Sequence, residues 1–195
     1  DIVVHATGKR GQHAMGARLD APRLQLDKGS LIGQEVTLDV NSSDSDETLA
    51  ASVRLPAFEF SNNIFNAASI SADFDFKSGE RSLQAKLKSP VNMNFESAPK
   101  LQLDAINFSL SARHQALANK LNAFAEGTLS ADFAEQNASL IFSAIFNDSK
   151  INGFAALKDF TQPVYTLEVS ANHFDLDRYI ATDWIKRFQD DATPF

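Results

Sequence analysis

Apolar side chains return at every second position along most of this chain, the period of strands with one apolar and one polar face. Clear runs are Val36, Leu38, Val40; Leu49, Ala51, Val53, Leu55; Ile70, Ala72, Phe74, Phe76; Leu83, Ala85, Leu87; Val91, Met93, Phe95; and Ile106, Phe108, Leu110, Ala112. The second half continues with Leu129, Ala131, Phe133; Leu140, Phe142, Ala144, Phe146; Ile151, Gly153, Ala155, Leu157; and Tyr165, Leu167, Val169, Ala171. The alternate positions are polar, as at Ser69, Ser71, Asp73, Asp75, Lys77 and again at Ser109, Ser111, Arg113. Turn signals separate the runs: SSDSDE at 42–47, KSGER at 77–81, AEQNA at 134–138 and NDSK at 147–150. Short connections favour antiparallel hairpins, and a strand-plus-turn spacing of roughly 8–12 residues calls for about a dozen strands. Such a sheet has a wet face and an apolar face; alternation fits both a closed sandwich and a single curled sheet whose apolar face lines a trough.

A length of 195 residues suits one all-β domain spanning 1–195. Hydrophobic residues at 44% and charged residues at 22% are those of a folded chain rather than a disordered one. Phe is over-used, with 16 copies against two Tyr and one Trp, and a ring without a polar handle suits an apolar setting. The net charge of −7 argues against nucleic acid and against electrostatic attraction to anionic lipid surfaces. The absence of cysteine excludes disulfides, thiolate catalysis and thiolate metal sites. Apolar runs are a few residues long, far below the ~20 that span a bilayer. The sequence starts at Asp1 inside a strand-like run with no leader or initiating Met, so it reads as a piece of a longer protein, and any membrane anchor would lie outside it.

Residues 70–95 align without gaps on 129–154, an offset of 129 − 70 = 59, with SADF identical at 71–74 and 130–133. The alignment is either chance between amphipathic strands or the mark of a modular β array. The stretch 115–124 suits a short helix or a strand. Residues 176–191 read as a C-terminal helix: Asp175 or Asp177 can cap it, and Tyr179 or Ile180, Trp184, Ile185 and Phe188 return at three- and four-residue steps.

No constellation points to catalysis, and no cofactor or metal is called for. His173, Asp175, Asp177 and Arg178 suit a capped strand-to-helix junction better than a metal site or an acid–base pair. His5, His13, His114 and His173 lie at no metal-binding spacing, DSDE at 44–47 lacks the pattern of a calcium loop, and GKRG at 8–11 lacks that of a phosphate loop. No G-x-S-x-G elbow occurs, so the chain reads as non-enzymatic. The aromatic stripe serves either as a sandwich core or as a surface that holds lipid. An eight-residue strand covers roughly 27 Å, enough for an acyl chain that occupies half of a ~30 Å bilayer core. The lipid-groove candidates are Ile70, Phe74, Phe76, Leu87, Phe108, Leu110, Phe133, Phe142, Phe146 and Leu167.

The stretch PVYTLEVSANHFDLDRYI, 163–180, resembles the signature near the end of the conserved region of the AsmA family. The similarity lies in Pro163, Tyr165, Leu167 and Val169, then Leu176, Asp177, Arg178 and Tyr179, with Phe174 in place of the more usual Leu. The phrases at 24–40 and 100–112 are similar in style to that family's repeats. This resemblance implies a Gram-negative envelope protein in the periplasm, attached to the inner membrane by an N-terminal helix outside this sequence. It also implies kinship with chorein-type lipid-transfer proteins, phospholipid or another lipid as partner, and a part in phospholipid transport and outer-membrane assembly, alongside envelope assembly proteins. The expected fold is all-β, a strongly curved antiparallel meander sheet, β-taco or groove-like, with a C-terminal α-helix. The rival expectation is a structural or interaction module for outer-membrane protein assembly that binds no lipid.

Overall fold

A computed structural model describes residues 1–96, 98–114 and 120–173. The chain forms β1 (Ile2–Arg10), β2 (His13–Ala21), β3 (Arg23–Asp27), β4 (Ser30–Ser43), β5 (Glu47–Ser61) and β6 (Ile64–Ser78). It continues with β7 (Arg81–Asn94), β8 (Lys100–Arg113), β9 (Leu121–Asp132), β10 (Asn137–Phe146), β11 (Ser149–Lys158) and β12 (Val164–Ala171). All belong to one 12-stranded antiparallel sheet in the order β1-β2-β4-β5-β6-β7-β8-β9-β10-β11-β12, with β3 pairing on β4. Because β2 and β3 lie end to end along β4, the sheet is a plain meander. Its tight turns fall at Asp44–Asp46, Gly79–Glu80 and Asn147–Asp148, where sequence chemistry places them, and at Asn62–Asn63, where two Asn residues adopt φ of 48° and 60°. The runs 83–87 and 91–95 are one strand, β7, which continues through Pro90 and ends just before Phe95.

A line of irregularities crosses the sheet from the β2–β3 junction to β8. Pro22 separates β2 from β3; opposite it Glu35 in β4 has φ 57°; Pro56 in β5 lies in an unpaired stretch; β6 is bulged between Ala67 and Ile70; Pro90 interrupts both ladders of β7; and Ala105 in β8 has φ 51°. An extra or twisted residue reverses the in–out alternation. Accordingly the apolar positions change parity along β4 (Leu31, Gly33, then Val36, Leu38) and β8 (Leu101, Leu103, then Ile106, Phe108). Strand β7 carries no extra residue, so Leu87 and Met93, six positions apart, share a face, and so do their partners Ala72 and Phe65. The parity changes therefore keep the apolar residues of both panels on one side. Ser89 locks the line from within: it is 1% exposed, and its Oγ–H lies 2.7 Å from the carbonyl oxygen of Pro90 and 3.0 Å from that of Asp104 as shared acceptors. The buried apolar residues Ala21, Ala67 and Ile106 each adjoin the same line.

Two expectations need correction. The sheet is not strongly curled: each strand's substantial contacts are with its ladder neighbours, so no two distant strands close over a trough among the described residues. Alternation fixes which side of a strand is apolar but leaves curvature to twist and bulges, and here the bulges are confined to one line. The 59-residue offset also fails to superpose equivalent elements. It sets SADF in the middle of β6 against SADF at the end of β9, and the Gly79 turn against Ala138 inside β10. No helix occurs among the described residues; the expected helix at 176–191 lies outside them, as do 115–119, while 121–124 opens β9.

Candidate functional site

Ladder register assembles the alternating residues into rows that cross the whole sheet. One row starts at Val4 on the β1 edge and passes through Leu19, Leu38, Val53, Ala72, Leu87, Phe108, Ala125, Ala144 and Ile151 to Ala171 on the β12 edge. Every member is apolar. In the next row large and small side chains take turns: Val40, Ala51, Phe74, Ala85, Leu110, Ala123, Phe146. Small neighbours give each large side chain room to lie down on the sheet.

Nine of the ten residues singled out from sequence lie on this face by register: Ile70, Phe74, Phe76, Leu87, Phe108, Leu110, Phe142, Phe146 and Leu167. Phe133 does not join them. It sits past the end of β9, where its ring meets Phe160 edge-on with centroids 5.8 Å apart. The groove candidates chosen from sequence leave out a second aromatic patch, beyond the line of irregularities, where Phe58 stacks on Phe65 at 5.3 Å and Phe60 meets Phe95 edge-on at 6.0 Å. The parity change hides that patch from a simple period of two.

Glycines shape the face at two cross-strand pairs. Phe58 is paired with Gly33 and lies over it, so a Cβ on Gly33 would stand 2.1 Å from Cε1 of the ring. Phe142 sits between Gly127 and Gly153, and a Cβ on Gly153 would stand 2.4 Å from its Cζ. In both pairs an aromatic ring covers the backbone that glycine leaves bare.

The face has no second layer among the described residues. Its side chains are mostly half-buried by their in-plane neighbours, and the buried apolar residues are only Ala21, Ala67, Ile106 and Ala131. At the β12 edge Tyr165 is 74% and Leu167 68% exposed.

The opposite face is charged over β5–β8. Asp73 accepts from Arg54 Nη1 at 2.9 Å and lies 3.6 Å from Lys86 Nζ, and Asp75 accepts from Gln84 Nε2 at 2.7 Å. The Gln84 amide, with help from Lys77, holds the Asp75 carboxyl below its usual range. Lys100 Nζ lies 2.8 Å from Asp132, which also accepts the N–H groups of Ala134 and Glu135 at 3.0 and 3.1 Å. Lys100 foremost, then these backbone donors, lowers the Asp132 pKa, and the carboxylate raises that of Lys100. His13 Nε2 approaches Asp44 at 3.0 Å. Among the described residues no cluster of three metal-ligating side chains occurs, and Asp175, Asp177 and Arg178 lie outside them.

Over β9–β12 this second face holds an open cleft of about 810 Å3 between two rows of side chains. One row is Glu126, Ser143, Asn152, Ser170; the other is Thr128, Ile141, Phe154, Glu168. The backbone of Gly127, Phe142, Gly153 and Val169 runs between them as the floor.

No family model, curated protein or solved structure matches the chain.

Proposed function

We propose that the apolar face shields lipid acyl chains while headgroups stay in water, and that the chain is a periplasmic, AsmA-like sheet tethered to the inner membrane that contributes to phospholipid transport and outer-membrane assembly. The observation that carries this reading is the apolar row running from Val4 to Ala171 without a polar member and without a covering layer among the described residues. An exposed apolar surface of that extent is rare on a monomer unless something is meant to lie on it. Each methylene placed there is worth about 0.8 kcal/mol, so an acyl chain needs no polar anchor and can move between similar, individually weak positions. The resemblance at 163–180 supplies the envelope setting. Lipid movement of this kind involves no covalent step, in keeping with the non-enzymatic reading.

Native mass spectrometry and solvent extraction of the purified chain test the proposal. Phospholipid is expected on the wild type and lost from Phe74→Asp and Phe108→Asp, both on the apolar face. A wild type that carries no lipid, and gains none from phospholipid vesicles, would leave the interaction-module reading in its place.

A further inference from the structure

Strand β12 ends the sheet with one side of its backbone unpaired among the described residues. Its ladder with β11 fixes which groups face outward. Asn172 N–H donates to the Lys150 carbonyl at 3.1 Å, and the same register runs unbroken from Ile151↔Ala171 to Lys158↔Val164. Antiparallel partners alternate between bonded and unbonded pairs, so the even-numbered residues of β12 bond to β11. The Glu168 carbonyl oxygen accordingly lies on the β11 side, 3.0 Å from where a Cβ on Gly153 would stand. The N–H and C=O groups of Tyr165, Leu167, Val169 and Ala171 therefore point away from the sheet.

Edge strands are ordinarily blunted by lysine, proline, a bulge or brevity. Strand β12 reads VYTLEVSA, eight residues in unbroken register with no Lys, Arg or Pro, and all eight are exposed. At the other edge, β1 carries Lys9 and Arg10.

The β12 edge is also complementary to itself. Laid antiparallel on a second copy and centred on Leu167, it sets Leu167 against Leu167, Tyr165 against Val169 and Thr166 against Glu168. Every apolar residue then meets an apolar one on the same face, and the outward N–H and C=O groups fall in the bonded pairs. Glu168 meets a hydroxyl that can donate to it. A slip of one residue between the copies sets apolar side chains against polar ones. Centring on Glu168 opposes two carboxylates, and centring on Thr166 sets Val169 against Pro163, which has no N–H to give. Centring on Val169 leaves Tyr165, the largest side chain of the strand, with no opposite residue in β12.

We propose that β12 pairs with β12 of a second copy of this chain in the Leu167-centred register, forming an isologous dimer. The two-fold axis stands perpendicular to the sheet, so the apolar faces of both copies lie on the same side and run on as one surface of twice the width. One strand pair buries little area, so the dimer is in equilibrium with monomer. The pairing uses backbone groups at the edge and does not depend on a ligand of the apolar face.

Sedimentation velocity of the purified chain over a concentration series should show reversible monomer and dimer, with and without lipid. Val169→Pro removes an outward N–H that β11 does not use, so it should give monomer with an unchanged far-UV circular dichroism spectrum. The described residues contain no cysteine, and the sequence has none, so single cysteines report the register. Bonded partners lie with Cα atoms about 5.5 Å apart, within disulfide reach. Leu167→Cys should oxidise to a linked dimer many-fold faster than Tyr165→Cys, whose opposite residue is Val169. Wild type that stays monomeric at every concentration overturns the proposal, as does cross-linking through Tyr165→Cys in preference to Leu167→Cys. A dimer that survives Val169→Pro and is lost in Phe74→Asp is joined through the apolar faces, and overturns it too. Val169→Pro should still carry lipid, so the edge pairing and the lipid reading fail separately.

Discussion

A methyl group added at Gly127 would stand 2.4 Å from the carbonyl oxygen of Ile141, whereas at Gly33 the nearest obstacle is the ring of Phe58. A backbone carbonyl held in a ladder cannot step aside, but a ring can turn. Gly127→Ala should therefore destabilise the chain by about 1–3 kcal/mol, and Gly33→Ala by less, in urea unfolding. Gly8→Ala has nothing within 4 Å and should stay within about 0.5 kcal/mol of wild type. At the same scale, the Lys100–Asp132 pair sets a pH window. The Asp132 pKa is lowered from its usual 3.8, so its contribution is present above that value and disappears as pH falls through the lower folded-state pKa. The Lys100 pKa is raised from 10.5, so its contribution holds below that value and disappears as pH climbs through the higher folded-state pKa. The stability difference between wild type and Asp132→Asn should be flat between these limits and shrink toward zero in acid. Lys100 is exposed and Asp132 half-buried, so solvent screening keeps the effect small.

At the scale of the strand, proline is tolerated where the ladder is already open. Pro56 and Pro90 fall in unpaired stretches of β5 and β7, although central strands ordinarily exclude proline. Pro56→Ala should change stability by less than about 1 kcal/mol. Val53→Pro, three residues away inside a paired run, should lose about 1–3 kcal/mol for the orphaned carbonyl alone, measured by the same unfolding curves. This contrast explains what the sequence made legible. Period-two alternation marks the strands, and Gly, Asn and Asp mark hairpin tips, because both follow from local sterics. The parity change has no such marker: Glu35 and Ala105 take positive φ without being Gly or Asn, and Phe58 and Phe60 fall out of step with Leu55. Nine groove candidates could be placed on one face because they lie in runs that alternate without a break, clear of the line of irregularities. Phe133 could not, since its alternation continues past the point where the ladder ends.

For the whole molecule, the uncovered face makes stability depend on what lies against it. A ligand that binds the folded sheet and not the unfolded chain adds about 2.7 kcal/mol at one hundred times its dissociation constant. Delipidated chain should accordingly melt at lower temperature than lipid-loaded chain, and Phe74→Asp should abolish that difference in a thermal scan. The lack of strong curling also bears on what sequence can convey: curvature is a collective property of twist and bulges, and alternation says nothing of it.

The meander has a further consequence in time. Apart from β2, which pairs with β4 past the short β3, each strand pairs only with strands next to it along the chain, so no long loop must close before contacts form. A chain growing from its N-terminus can lay each new strand on the one just completed, and the sheet at every stage has the newest strand as its growing edge. Its assembly is a zipper with one moving end, and β12, the last to arrive, is still the edge when the zipper stops among the described residues.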